Sequence, residues 1–157
     1  MKKKIKWMIV GLSVVMVVIL IYIGALVRYA EREVTTLNNL TASLEVMPEV
    51  RLVHSIHRFN GLESYVVAQV ELTNYQDAYF FVRDGTVQHY IISTELMVES
   101  EILSIASDQV VGGEIQRSQL GIIEETPIFE VQIALDGEVH YVIINAVTGT
   151  VIMNFSL

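Results

Sequence analysis

An α+β fold carried behind an N-terminal transmembrane helix is the class this sequence predicts. Three observations predict it. Positions 7–27 carry no charge; short apolar segments of period two follow, separated by hairpin turns; and the order helix-then-four-strands occurs twice, about 63 residues apart.

The uncharged run reads WMIVGLSVVMVVILIYIGALV. At about 1.5 Å per residue it spans roughly 31 Å as a helix, the thickness of a bilayer's hydrocarbon core. Lys2, Lys3, Lys4 and Lys6 precede it, and Arg28, Glu31, Arg32 and Glu33 follow it. Positive charge stays on the cytoplasmic side, so residues 1–6 are expected inside and everything beyond Val27 outside. Trp7 stands at one end, with Tyr22 and Tyr29 near the other, where amphipathic rings favour the headgroup zone. A cleaved signal peptide is the competing reading. Its apolar region runs about 7–15 residues and ends at a small-x-small site. This run is longer, no clear A-x-A follows it, and either reading exports the remainder.

Charge divides the same way. All four lysines lie in the first six residues, whereas Arg28 onward holds six arginines and 18 acids, a formal −12. Such a surface is repelled by nucleic acid and by anionic lipid headgroups, and it suits a basic surface on a protein partner. With no cysteine, an exported domain must be held by its core alone.

Residues 31–47 place Leu37, Leu40, Leu44 and Met47 on one helical stripe, and Pro48 ends the segment. The stripe is read as the helix that covers the first sheet, with a homodimer stalk as the lesser alternative. Strands are expected at 50–59, 63–72, 78–83 and 86–92. They are punctuated by Asn60-Gly61, the loop 73–77 and Asp84-Gly85, and Asn-Gly and Asp-Gly favour type I′ turns. A second helix is expected over 94–108 with Ser93 or Thr94 as N-cap. Gly112-Gly113 breaks the chain, and strands resume at 114–123, 127–135, 138–145 and 150–155, with turns at Asp136-Gly137 and Thr148-Gly149.

The repeat shows in phase as well as order. Val66, Ala68, Val70 and Leu72 each precede Phe129, Val131, Ile133 and Leu135 by 63 positions, and Gly85-Thr86-Val87 precedes Gly149-Thr150-Val151 by 64. A half-apolar sheet needs a helix over it, so each unit is expected to be a helix packed on an antiparallel sheet. Units near 60 residues are marginal alone, so the two are expected to pack together, a flexible joint near Ile92-Ser93 being the alternative.

Few motifs carry chemistry. There is no cysteine nucleophile, G-x-S-x-G elbow, P-loop or G-x-G-x-x-G. His54 and His57 would share a face on a helix, but on a strand they point apart, which argues against a shared metal. Glu124-Glu125, Glu99 and Glu101 read as solvated turn and helix surface. No carboxylate pair or marked serine stands out. Tyr65, Tyr75, Tyr79, Phe80, Phe81 and Tyr90 form an aromatic group that reads first as strand packing and second as an interface. The triplets Asn39-Leu40-Thr41 and Asn154-Phe155-Ser156 match a glycosylation signal that arises often by chance. The reading therefore assigns no catalytic, cofactor or metal residue and leaves the partner-binding surface open.

One stretch resembles a known family. Pro127-x-Phe129-Glu130-Val131, then Asp136-Gly137, Tyr141 and Thr148-Gly149-x-Val151-Ile152, is similar to the PepSY pattern. With a like-shaped unit before it and a single N-terminal anchor, the whole chain resembles the YpmB/TseB-like proteins of low-GC Gram-positive bacteria. Phe129 stands where that family often has Trp. The resemblance implies two tandem cystatin-like domains, here 28–92 and 93–157, outside a signal anchor at 7–27. It also implies a non-enzymatic regulator of cell-wall elongation whose partner is a class B penicillin-binding protein. Pro127, Phe129, Glu130, Val131 and Gly149 are fold markers in that pattern, not a binding site. A PepSY-type inhibitor or propeptide-like module acting on an exported protease is the alternative function.

Overall fold

A computed structural model of the chain describes residues 2–61 and 63–157, with side chains at 15–28, 34–61 and 63–157. Chain contacts divide it into Met1–Leu40 and Thr41–Leu157. Helix α1 runs from Lys2 to Glu45 without interruption. The separate helices expected at 7–27 and 31–47 are thus one. The joining stretch, 28–33, is built from Arg, Ala and Glu with one Tyr, and most of these are strong helix formers. The stripe is divided by the unit boundary. Leu44, in the second unit, is 2% exposed and Met47 is half-buried, while Leu37 and Leu40 belong to the first unit.

The unit Thr41–Leu157 contains two four-stranded antiparallel meanders. The first orders β1 (Val50–Asn60), β2 (Ser64–Leu72), β3 (Asp77–Arg83) and β4 (Thr86–Ile92). After α2 (Glu99–Gln109), the second orders β5 (Glu114–Ile123), β6 (Thr126–Leu135), β7 (Glu138–Asn145) and β8 (Val151–Ser156). All eight expected strands are present within a residue or two. β5 begins 64 residues after β1 (114 against 50) and β8 begins 65 after β4 (151 against 86).

The strands alternate as period two requires. In the second sheet Phe129, Val131 and Ile133 lie in the main core with Val142 and Ile144 opposite them on β7. α2 packs on β5, β6 and β7 and buries Ile102 and Ala106 in the same core. From the first sheet, Phe59, Tyr65, Val67 and Phe81 enter that cluster too, so one core is common to both sheets. The other face of β2 and β3 carries Ala68, Val70, Ala78, Phe80 and Val82, also buried. The set Val66, Ala68, Val70 and Leu72, matched in the sequence to Phe129–Leu135, therefore faces away from the common core. The residues that share it with Phe129 and Val131 are Tyr65 and Val67, 64 positions earlier.

Three turns have the φ > 0, φ > 0 pattern of type I′. Asp84-Gly85 and Asp136-Gly137 were expected to; Glu124-Glu125, at φ 46° and 66°, is a costlier choice of residues. Asn60-Gly61 does not form such a turn. Neither residue has positive φ, and Asn60 pairs with Ser64 across a three-residue connection. Gly61 lies against the Phe59 ring, where an added Cβ would come within 2.7 Å of it, so packing under the turn sets its shape.

The second helix also starts later than expected. Ser93–Glu95 is a single 3₁₀ turn, Leu96 and Val98 are extended, and α2 begins at Glu99 with no side-chain cap. Ser93 and Thr94 therefore do not cap it. The Met97 N–H instead donates to the Ala146 carbonyl at 2.8 Å, a tertiary bond that holds this segment extended.

Candidate functional site

Three surfaces bear on function. The first is α1. From Val15 to Val27 every large apolar side chain is at least half exposed, from 50% at Ile23 and Val27 to 67% at Ile21. Successive residues on a helix turn through 100°, so thirteen of them cover every side of it. A helix apolar all round belongs in a core or a membrane. Among the described residues no helix is long and apolar enough to cross a membrane. The part of the run whose side chains are described, Val15–Val27, would rise only about 20 Å. The side chains of Lys2, Lys3, Lys4, Lys6 and Trp7, expected to flank and anchor it, lie outside the described residues.

The second is a polar cleft of about 330 Å³ where β1 and β2 meet β5 and the start of α2. Ser55, His57, Gln69, Tyr79, Glu99, Arg117, Ser118 and Gln119 line it over an apolar floor of Leu120 and Phe129. His57 lies 3.0 Å through Nε2 from the Leu120 carbonyl. A carbonyl only accepts, so that nitrogen carries the proton. Burial, then the negative charges of Glu99 and Asp77, push the Tyr79 phenol above its ordinary range and keep it protonated. The Ser55 hydroxyl donates to Gln69 Oε1 at 3.4 Å, not to the imidazole, so the cleft does not join a nucleophile to a base. Arg117 has no ion pair among the described residues, and Ser118 Oγ and Gln119 Oε1 have no protein partner. The cleft offers hydrogen bonds and one cation.

The two histidines, expected to face apart, do not. The bulge between Val53 and Ser55 adds a residue and shifts the parity, so His54 lies 3.5 Å from Asp77 and 3.9 Å from Glu71, on the face of β2 and β3 where His57 stands opposite Val67. Among the described residues no three metal-ligating side chains converge. The aromatic group does not hold together: Tyr79 and Phe81 face opposite to Phe80, which packs edge-on against Tyr90 at 6.1 Å. Tyr75 is 75% exposed beneath the Arg51 guanidinium, 4.9 Å from its ring centre. Arg51 grips Glu71 through two hydrogen bonds of 2.7 and 2.8 Å, which hold the Glu71 carboxyl below its ordinary range.

The motif residues cluster in the second sheet. The Pro127 carbonyl accepts from Ala146 N–H at 2.9 Å, and Phe129 and Val131 are core residues. The Glu130 carboxylate accepts from Gln132 at 3.0 Å and Gln119 at 3.3 Å. Gly149 has φ +71°, and a Cβ there would lie 2.6 Å from Met97 Sδ.

Sequence reasoning missed the third surface, the outer edge of β8. Ile152, Met153 and Leu157 are 51%, 54% and 81% exposed, and Phe155 stacks on Tyr141 at 5.2 Å and 7°. The available signal was the run VIMNFSL, seven residues without a charge.

No family model and no curated protein matches this sequence. Solved structures do. The YpmB protein from Bacillus subtilis superposes at a TM-score of 0.67, with 16% identity over 76% of this chain and 96% of that one. The chain has the YpmB fold. A protein of Clostridium difficile 630 described as a candidate lipoprotein matches at a TM-score of 0.40, with 12% identity over 67% of this chain and 82% of that one. The resemblance first seen in residues 127–152 is therefore met in three dimensions by an α+β fold of two antiparallel four-stranded sheets.

Proposed function

We propose that the chain is a membrane-anchored, non-enzymatic regulator of cell-wall elongation. Residues 7–27 span the bilayer once, the N-terminus stays in the cytoplasm, and Thr41–Leu157 binds a class B penicillin-binding protein outside it. The supporting observation is the all-round apolar surface of α1 from Val15 to Val27, which water would not tolerate at that extent. The YpmB fold supports the rest of the reading. Tethering beside the membrane raises the domain's effective concentration toward other anchored proteins, which suits a weak regulatory contact.

Two measurements test this. A reporter active only outside the cytoplasm, fused after Leu157, should be active; activity of a cytosolic reporter there would overturn the topology. Crosslinked membranes should yield a transpeptidase with the full chain. Recovery of an exported protease instead would replace this reading with the inhibitor one. Hydrolysis by the purified chain, abolished by one substitution in the cleft, would make it an enzyme.

A further inference from the structure

We propose that the open edge of β8 receives an extended, basic-ended segment of another protein as an added strand of the second sheet. This rests on the reading of the chain as a partner-binding module and names its surface.

The backbone is presented for it. Leu157 N–H donates to the Val139 carbonyl at 3.1 Å, and Phe155 and Met153 stand opposite Tyr141 and Ile143. Hydrogen bonding alternates along an antiparallel pair, so the N–H and C=O of Asn154 and Ser156 point away from β7. Among the described residues no strand lies beyond β8. Exposed edges are ordinarily guarded by charge, proline or a bulge. β8 has no charged residue and no proline, and its irregularity lies at the start, opposite Ile143/Ile144, leaving residues 153–156 regular. β4, the last strand of the first sheet, exposes one large apolar side chain, Tyr90. On β8, Met153 and the stacked Phe155 form an apolar ledge beside the open backbone, the pairing of main-chain bonds with side-chain pockets used in strand addition.

Charge selects the occupant. The unit Thr41–Leu157 holds four arginines against 16 acids, and no lysine or arginine occurs after Arg117. Asp136 and Glu138 stand at the end of the sheet where Leu157 meets Val139. A second copy would bring the same −12. An apolar strand with lysine or arginine at the end beside Asp136 and Glu138 would be attracted.

The test uses the full chain in detergent micelles and two ten-residue peptides of alternating valine and threonine, ended by two lysines or two glutamates. The lysine-ended peptide should bind, slow amide exchange at Asn154 and Ser156, and bind at least tenfold more tightly than the glutamate-ended one at low salt. Asn154→Pro removes an outward N–H without removing a bond to β7; it should weaken binding at least tenfold, while Asn154→Ala should not. Should Asn154→Pro fail to fold, Phe155→Lys serves in its place. Equal binding by the proline variant, protection at β1, β4 or β5 instead, or self-association that is lost in Asn154→Pro would overturn the proposal. Peptide binding failing while a transpeptidase still co-purifies would sink this edge alone; peptide binding without a transpeptidase would sink the regulator reading alone.

Discussion

The two sheets share a strand order and a spacing of about 64 residues, yet they are finished differently. Where the first has Asn60-Gly61 it builds a three-residue connection; the second turns in two residues on Glu124-Glu125, both at positive φ. Gly85 and Gly149, 64 apart, both have positive φ, but only Gly149 is pressed against a neighbouring side chain. The last strand of the first sheet, β4, exposes one large apolar residue, Tyr90, while the last strand of the second, β8, exposes Ile152, Met153 and Phe155. The two sheets agree in what short-range period and turns dictate and differ in the contacts each one makes.

The sharpest break in the comparison lies where the halves meet. Phe59 of β1 is 1% exposed, and its ring lies where a Cβ on Gly121 of β5 would come within 2.5 Å. Phe59→Ala should cost about 3–5 kcal/mol, because the ring fills a core drawn from both sheets. Urea unfolding followed separately by aromatic fluorescence and far-ultraviolet dichroism would read it. If the core is common, the two signals move together.

A smaller effect separates the equivalent glycines. Gly85→Ala meets open space and only the positive φ, so it should cost about 1 kcal/mol. Gly149→Ala adds overlap with Met97 and Ile105 and should cost about 2–4 kcal/mol. Equal losses in thermal unfolding would show that α2 yields more easily than its packing implies.

Exchanging turn chemistry should have the opposite sign. Replacing Glu124-Glu125 with Asn-Gly removes two carboxylates held at positive φ and should stabilise the protein by about 1 kcal/mol, raising its melting temperature a few degrees. The smallest effect is electrostatic. The Glu71 carboxyl is held low by its hydrogen bonds to Arg51. Its contribution is present above the ordinary carboxylate range and is lost as pH falls through the depressed value. Arg51→Met should therefore slightly narrow the difference between neutral and acid stability and leave stability below that range unchanged.

Much of the fold was legible because it is local. Strand positions followed from side-chain alternation, and Asp84-Gly85 and Asp136-Gly137 turned as their φ preferences require. The Phe129, Val131 and Ile133 face was readable because parity alone assigns it. The start of α2 was not readable. Local capping favoured Ser93, and a bond from Met97 to Ala146, nearly fifty residues away, decided otherwise. The cleft was equally hidden, since His57 and Arg117 come together only when β1 meets β5.

By itself the sequence determined the apolar run, the acidic remainder, the eight strands and their doubling, because each is a matter of composition or short-range period. Tertiary structure alone decided that Phe59 lies beside Gly121, that α2 waits until Glu99, and that the β8 edge is left open and apolar. Those outcomes depend on which distant surfaces meet, and no local preference encodes the energy of a contact between residues far apart in the chain.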